Sequence, residues 1–364
     1  MRFSIYLNPQ TTGAHEDVEI IQTVTRQAVE ATEAGFAGVT LTEHHFSNYN
    51  TYGNPFQFAS YLYPLVPKGT LFSLSCAVPP LWNPMRLAQS INLLDILTEG
   101  NAITGFAPGG SPLEYSGVGR DPAIRQEENA KTIEIVEQVL AKSPEDEPYE
   151  WETAVEHGVV HTRMMPGPFT PGGQKFARAT QSNEGAEQTG RKGWYLFTGR
   201  EEPEAFGERF RVYEEGLRQS GLDEGSIEHR LDWSFVQKQV YLAETTEQAL
   251  AEIHPILDRL ADNQKRAFKP VSGVAGAENM QTVLRVSATD HEAFIREALI
   301  VGDPDTVAEE IRKYEALGIR HLSLVFNWGF MGAEKSDRSL RLFIDRVLPQ
   351  FAATQARESV EASR

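Results

Sequence analysis

The 364 residues carry 51 acidic side chains against 34 Lys and Arg, a formal net charge of −17, with 40% apolar and 23% charged residues. That length holds two ordinary domains or one large α/β barrel, and the composition is globular rather than disordered. The acidity argues against nucleic acid and against anionic lipid as partners, both of which call for a basic face. The single cysteine, Cys76, excludes an intramolecular disulfide and a cysteine-based zinc cluster. The N-terminus MRFSIYLNPQ lacks a basic region followed by an apolar one, and no apolar run nears the roughly 20 residues that span a bilayer. The expectation is a soluble, cytoplasmic protein.

In chain order, eight short β-type runs stand out: 3–7, 37–44, 71–78, 101–107, 175–181, 194–198, 233–243 and 320–326. Helix-period segments lie between most of them. Residues 16–34 bring Ile20, Val24, Ala28 and Ala31 near one face, and 84–97 do the same with Leu87, Ile91, Leu94 and Leu97. Residues 304–317 open with Asp303 as N-cap and Pro304 at the first helical position, and Gly318 ends them. Further helices are expected at 55–65, 125–141, 202–219, 245–261 and 338–350. Strand–helix alternation implies a parallel sheet, and eight units suggest a closed (β/α)8 TIM barrel over 1–350 as a single domain. The competing open Rossmann sheet lacks its glycine-rich turn after the first strand, where the sequence is NPQTTG. Two stretches, 142–174 and 262–300, read as long excursions, the sort that serve barrels as lids or binding loops. The tail 351–364 reads as frayed.

Four constellations could carry chemistry. Glu43-His44-His45 ends the second strand. Neighbours on a strand face opposite ways, so one histidine can reach a central pocket, which favours acid–base work over a shared metal; two satisfied structural histidines are the alternative. Ala107-Pro108-Gly109-Gly110-Ser111 follows the fourth strand, where Gly-Gly permits close backbone approach to a ligand or simply a turn. Gln181-Ser182-Asn183-Glu184-Gly185 precedes a helix; Ser182 either caps it or, with the first-turn N–H groups, receives an anion such as a phosphate. His157 and His161 have metal-ligand spacing for a helix, but the Gly-Val-Val between them forms helix poorly. Cys76 reads as a small buried residue rather than a nucleophile.

The run LTEHHFSNYNTYGNPFQFASYL (41–62) resembles the bacterial luciferase-like flavin monooxygenases. The resemblance continues in NPMRLAQSINLLDILTEGNAITGFAPGG (83–110) and GDPDTVAEEIRKYEALGIRHLSLVF (302–326). It implies a TIM barrel that uses reduced FMN, supplied by a separate NAD(P)H-dependent flavin reductase. Dioxygen adds to the reduced ring, and the resulting flavin peroxide oxygenates a small or medium apolar organic molecule. It makes His44 the acid–base candidate. It sets Glu43, Ser75, Cys76 and Ala107 against the flavin ring, joined by a cis peptide between Ser75 and Cys76. Gln181, Ser182 and Asn183 fall at the phosphate, and Phe197, Thr198 and Gly199 close the pocket. There are departures. Pro108 stands where relatives carry a phosphate-binding arginine, Gly185 replaces a hydroxyl residue, and Arg200 is left to supply charge. Ala107 replaces a cysteine, so light emission does not follow. Aromatic residues near the strand ends (Phe46, Tyr49, Trp82, Phe106, Trp328 and Phe330) suit an apolar substrate. A homodimer is expected. The competing readings are a deazaflavin-dependent oxidoreductase and a non-catalytic flavin-binding subunit.

Overall fold

The computed structural model describes residues 1–170, 173–267 and 289–351. Its strands are β1 (Arg2–Leu7), β2 (Gly38–Thr42), β3 (Leu71–Ala77), β4 (Ala102–Phe106), β5 (Tyr149–Glu152), β6 (His157–Val160), β7 (Lys175–Ala179), β8 (Tyr195–Gly199), β9 (Phe235–Leu242), β10 (Leu299–Gly302) and β11 (His321–Val325). The helices are α1 (Asp17–Glu33), α2 (Pro55–Leu62), α3 (Pro84–Leu97), α4 (Pro112–Gly117), α5 (Arg125–Ala141), α6 (Asn183–Arg191), α7 (Pro203–Arg218), α8 (Glu224–Trp233), α9 (Thr246–Ala267), α10 (His291–Ala298), α11 (Pro304–Ala316) and α12 (Ala333–Leu342).

Eight parallel strands in the order β9-β11-β1-β2-β3-β4-β7-β8 close on themselves through β8–β9. All eight coincide with expected runs, and the fold is the expected (β/α)8 barrel. β2, β4, β8 and β11 are buried at every position, because a barrel strand has side chains on one face and helices on the other. Several helices start where a short polar residue precedes proline. Asn54, Asn83 and Asp303 each accept first-turn N–H groups with the side chain, and Pro55, Pro84 and Pro304 follow. β10 was hidden in the second excursion: it is four residues long and pairs with β9 from Gln239 onward, beyond Gln237 where β8 stops. α4, α8 and α10 were likewise not expected as separate helices.

No described residue of the first excursion lines the cavity at the strand ends; it leaves the end of α5, reaches up to the loops after β3 and β4, and returns to the start of β7. β5 and β6 form an antiparallel hairpin whose Glu156 accepts from Asn83 at 2.9 Å and pairs with Arg120 at 3.3 Å. The chain then runs back along α3. Asn92 donates to the Pro166 carbonyl at 2.6 Å, and Asp95 accepts from the backbone N–H of Phe169 and Thr170 at 2.7 and 2.8 Å. His157 and His161 sit on or beside β6 and are exposed, and no metal-binding cluster occurs among the described residues. In the second excursion, the end of α9 lies over the loop after β2, where Asn263 donates to the Ser47 carbonyl at 3.2 Å. Residues 268–288 of this excursion lie outside the described residues, as do 352–364 of the tail. No described helix is long and apolar enough to cross a membrane.

Candidate active site

A cavity of about 1140 Å³ opens at the C-terminal ends of the barrel strands, beyond the 300–1,000 Å³ of ordinary small-molecule pockets. Its walls include His44, Ser75, Cys76, Ala107, Gln181, Ser182, Phe197, Thr198, Gly199 and Arg200. Glu43 and Asn183 do not reach the wall.

At the end of β2 the two histidines part as strand geometry requires. His44 faces the cavity, while His45 turns back to Glu43 at 2.8 Å. Glu43 is buried and ties this strand to the next loop by accepting from the Val78 N–H and the Trp82 indole N–H, each at 2.9 Å. Its carboxylate is therefore committed to the scaffold. Burial works against charge on His45, but the Glu43 hydrogen bond and the Glu43 and Glu114 charges outweigh it and raise its pKa. His44 meets Glu114 of α4, with Nδ1 3.0 Å from Oε1, and the same oxygen accepts from the His45 backbone N–H at 3.0 Å. A buried carboxylate at Nδ1 selects the tautomer that carries hydrogen there and leaves Nε2 for a ligand. Tyr49 packs edge-on against the His44 ring at 5.0 Å, and its hydroxyl accepts from Arg200 at 2.8 Å. Glu114 escaped sequence reasoning. Its one signal was an acidic residue in the turn of helix that follows the Gly-Gly loop.

The neighbouring wall suits a flat conjugated ring. The Ser75–Cys76 peptide is trans, not cis as expected. The strand changes direction instead through a bulge: Leu41 pairs with Leu74, but Thr42 pairs with Cys76, leaving Ser75 as the extra residue. Support for a ring against this segment therefore rests on the cavity and not on a cis bond. Burial pushes the Cys76 thiol pKa up, so it stays protonated and non-nucleophilic. Burial also raises the Tyr6 phenol to about 12, keeping it a proton donor; its oxygen lies 3.1 Å from Ser75 Oγ. Opposite, Phe197 stacks on Phe235 at 4.1 Å. Gly105 makes room for it, since a Cβ there would stand 2.8 Å from the Phe197 ring. Of the aromatic residues expected near the substrate, Tyr49 and Phe106 line the cavity; Phe46 is exposed, Trp82 is engaged with Glu43, and Trp328 and Phe330 pack in the core beneath α9.

At the other end stands the start of α6. Ser182 caps the helix, accepting from the Gly185 N–H at 3.1 Å, and also faces the cavity. Cap and anion site are compatible, because the hydroxyl hydrogen remains to donate. Gly185 has a local reason. A Cβ there would stand 2.4 Å from Thr180 Oγ1 and 2.9 Å from Ser182 Oγ, so the hydroxyl missing at 185 is matched by one at Thr180. Arg178, which sequence reasoning missed, lines the same end and donates to Gln188 at 3.1 Å. The donors and the helix terminus at this end suit an anionic group such as a phosphate.

A family profile described as luciferase-like monooxygenase matches residues 1–321. The alkanal monooxygenase beta chain of Aliivibrio fischeri is 26% identical over 71% of this chain and 80% of its own length. The limonene 1,2-monooxygenase of Rhodococcus erythropolis is 24% identical over 93% and 81%. The oxygenase component of the flavin-dependent trigonelline monooxygenase of Acinetobacter baylyi is 22% identical over 98% and 97%. Among solved structures, the oxygenating constituent of the 3,6-diketocamphane monooxygenase of Pseudomonas putida, in complex with FMN, superposes with a TM-score of 0.73 at 18% identity, over 96% of this chain and 98% of that one. A secondary alcohol dehydrogenase dependent on the deazaflavin coenzyme F420 superposes at 0.69 with 15% identity, over 95% and 97%.

Proposed function

The chain belongs to the luciferase-like monooxygenase family, and from that premise we propose that it is the oxygenase half of a two-component pair. It takes reduced FMN from a separate NAD(P)H-dependent reductase and oxygenates a small or medium apolar organic molecule. The observation that carries this reading is His44, held by buried Glu114, facing a cavity that also reaches the Ser182-capped start of α6. The two-component arrangement draws support from the trigonelline relative, described as an oxygenase component.

In this reading Ser75, Cys76, Ala107 and Phe197 hold the ring, and Ser182, Gln181 and Arg178 hold the phosphate, with Arg200 over the mouth. Reduced FMN, when bound, supplies the electrons that let dioxygen deliver one oxygen atom to the substrate. His44 Nε2 holds or releases a proton at the reacting end, and Glu114 offsets the charge when the imidazole is protonated. Tyr6 and the Cys76 thiol remain neutral, so they line the site without competing for that proton.

The protein mixed with a flavin reductase, NADH and FMN should consume oxygen and, with an apolar ketone or alkene panel, form a product heavier by one oxygen atom. Hydride transfer with a reduced deazaflavin and no oxygen incorporation would establish the competing oxidoreductase. Flavin binding with neither activity would establish a non-catalytic subunit. We also assign a homodimer, supported by the exposed Tyr61 and Leu65 at the end of α2 and Leu93, Ile96 and Leu97 on the adjoining α3. Sedimentation at the monomer mass in dilute solution would refute it.

A further inference from the structure

The chain leaves β8 through a corner that is held from behind. Arg200 has a φ of 62°, a left-handed conformation that a residue with a long side chain adopts only at a cost. Two buried cations fix the residues on either side of it. Arg209 of α7 donates to the Thr198 hydroxyl at 3.1 Å and pairs with the Glu201 carboxylate. Lys238 of β9 is fully buried and donates to the Glu201 carbonyl at 2.8 Å and to the Glu297 carbonyl of α10 at 2.5 Å. Glu202 is drawn off to Arg296 at 2.6 Å. Of the charged residues at 200–202, Arg200 alone lines the cavity. Its guanidinium donates to the Tyr49 hydroxyl at 2.8 Å, and the Tyr49 ring stands edge-on to His44 at 5.0 Å. The cation is thus one side chain away from the acid–base group.

We propose that Arg200 receives a carboxylate of the substrate, so that the molecule oxygenated beside His44 has an apolar body and an acidic head. The proposal rests on the monooxygenase reading above and narrows its substrate class. Three features support it. First, Arg200 meets no carboxylate among the described residues, and Tyr49 is its partner there. The carboxylates of the cavity wall, Glu134 and Glu137, pair with Lys131 and Lys192, each at 3.3 Å. In a chain of net charge −17, a half-buried cation left without a counter-charge is a place for an anion. Second, the Tyr49 hydroxyl is neutral and occupies part of a planar fork of five N–H donors, which leaves room for two oxygens of one carboxylate. Third, the strained backbone and the two buried cations behind it fix where this side chain stands, and strain of this kind persists where the surroundings over-determine a functional position. Phe106, Phe197 and Phe235 of the same cavity remain for the apolar body.

Calorimetric titration of the full-length protein tests this, with FMN and riboflavin first and then, with and without FMN, with hexanoate, cyclohexanecarboxylate and benzoate, each beside its methyl ester. At least one acid should bind about tenfold or more tighter than its ester, as a hydrogen-bonded charge requires. Arg200→Asn removes the charge and suits the left-handed backbone. It should weaken that acid until it lies within about threefold of the ester, and leave the ester and riboflavin unchanged. Arg200→Lys, which keeps the charge but not the fork, should retain part of the preference. Acids that bind no better than their esters in the unaltered protein, with FMN bound, would overturn the proposal and leave the flavin reading standing. An undiminished preference in Arg200→Asn would overturn it as well. Selective weakening of FMN over riboflavin by Arg200→Asn, with the acids unaffected, would give the cation to the cofactor phosphate instead. Failure of both flavins to bind, with the preference for an acid present and lost in Arg200→Asn, would remove the flavin reading and leave the acid subsite in place.

Discussion

His44 and His45 are neighbours that face opposite ways, and the carboxylate each meets sets what it can do. His45 is held by Glu43 behind the wall; His44 is held by Glu114 at the wall. His44→Ala should reduce oxygenation by about a hundredfold, the lower end of the range for acid–base participation, while flavin binding persists. Glu114→Gln keeps the size but lets the imidazole choose its tautomer, so it should lower turnover while flavin binding persists. The double variant should be little worse than His44→Ala, since both changes act on one group. Full turnover in His44→Ala with loss in His45→Ala would reverse the assignment. At the phosphate end, Ser182→Ala should weaken FMN by about 1.5–3 kcal/mol, the range for a hydrogen bond to a charged group, and riboflavin much less. Equal weakening of the two in a titration would reduce Ser182 to its role as a cap.

Among the elements, α6 is the one whose placement most shapes the site. Its N-terminus and one flank line the cavity, and its seat against α7 depends on Gly190 and Gly216, where a Cβ would stand 2.3 Å from the Tyr213 carbonyl oxygen and 2.4 Å from that of Glu187. Gly190→Ala should cost about 1–3 kcal/mol, as overpacking does, because the added carbon meets backbone and not a side chain that can move away. Urea denaturation would measure this, and an unchanged midpoint would show that the helices slide apart freely. The same element shows where local sequence stops being informative. The cap signal S-x-x-G and the glycines are plain to read. That α6 leans on α7 and not on α5 is a property of three helices together. The bulge in β3 is similar: the run LFSLSCA reads as an uninterrupted strand, and only pairing with β2 exposes Ser75 as the extra residue.

For the molecule as a whole, the barrel floor links stability to acidity. His321 on β11 is fully buried, bonded to Ser4 Oγ at 2.7 Å and packed between Trp233 and Phe235. Burial, aided by the charge of Arg2, lowers its pKa from 6.5 to about 3. The unfolded chain therefore takes up a proton that the folded chain refuses between those values. Its contribution is fully present above about pH 6.5 and is lost as the pH falls toward 3. Thermal unfolding should show the melting temperature dropping across this window, and His321→Asn should flatten that part of the profile, even if its overall stability is lower. An identical slope in the variant would assign the acid sensitivity to other groups.

The sequence by itself determined the barrel, because strand and helix periods and Asn-Pro or Asp-Pro starts are local signals that every unit repeats. It also determined that one histidine of His44-His45 faces inward, because alternation along a strand is a two-residue property. It marked Ser182, whose capping role is set by the residues just after it. The tertiary structure alone decided the rest. Glu114 reaches His44 from 70 residues away, and Thr180 occupies the space that Gly185 leaves. Glu43 is diverted from the cavity to Trp82, and the excursion at 142–174 lies along α3 and not over the site. Each of these depends on which groups share a space once the barrel closes, and no spacing along the chain encodes that distance.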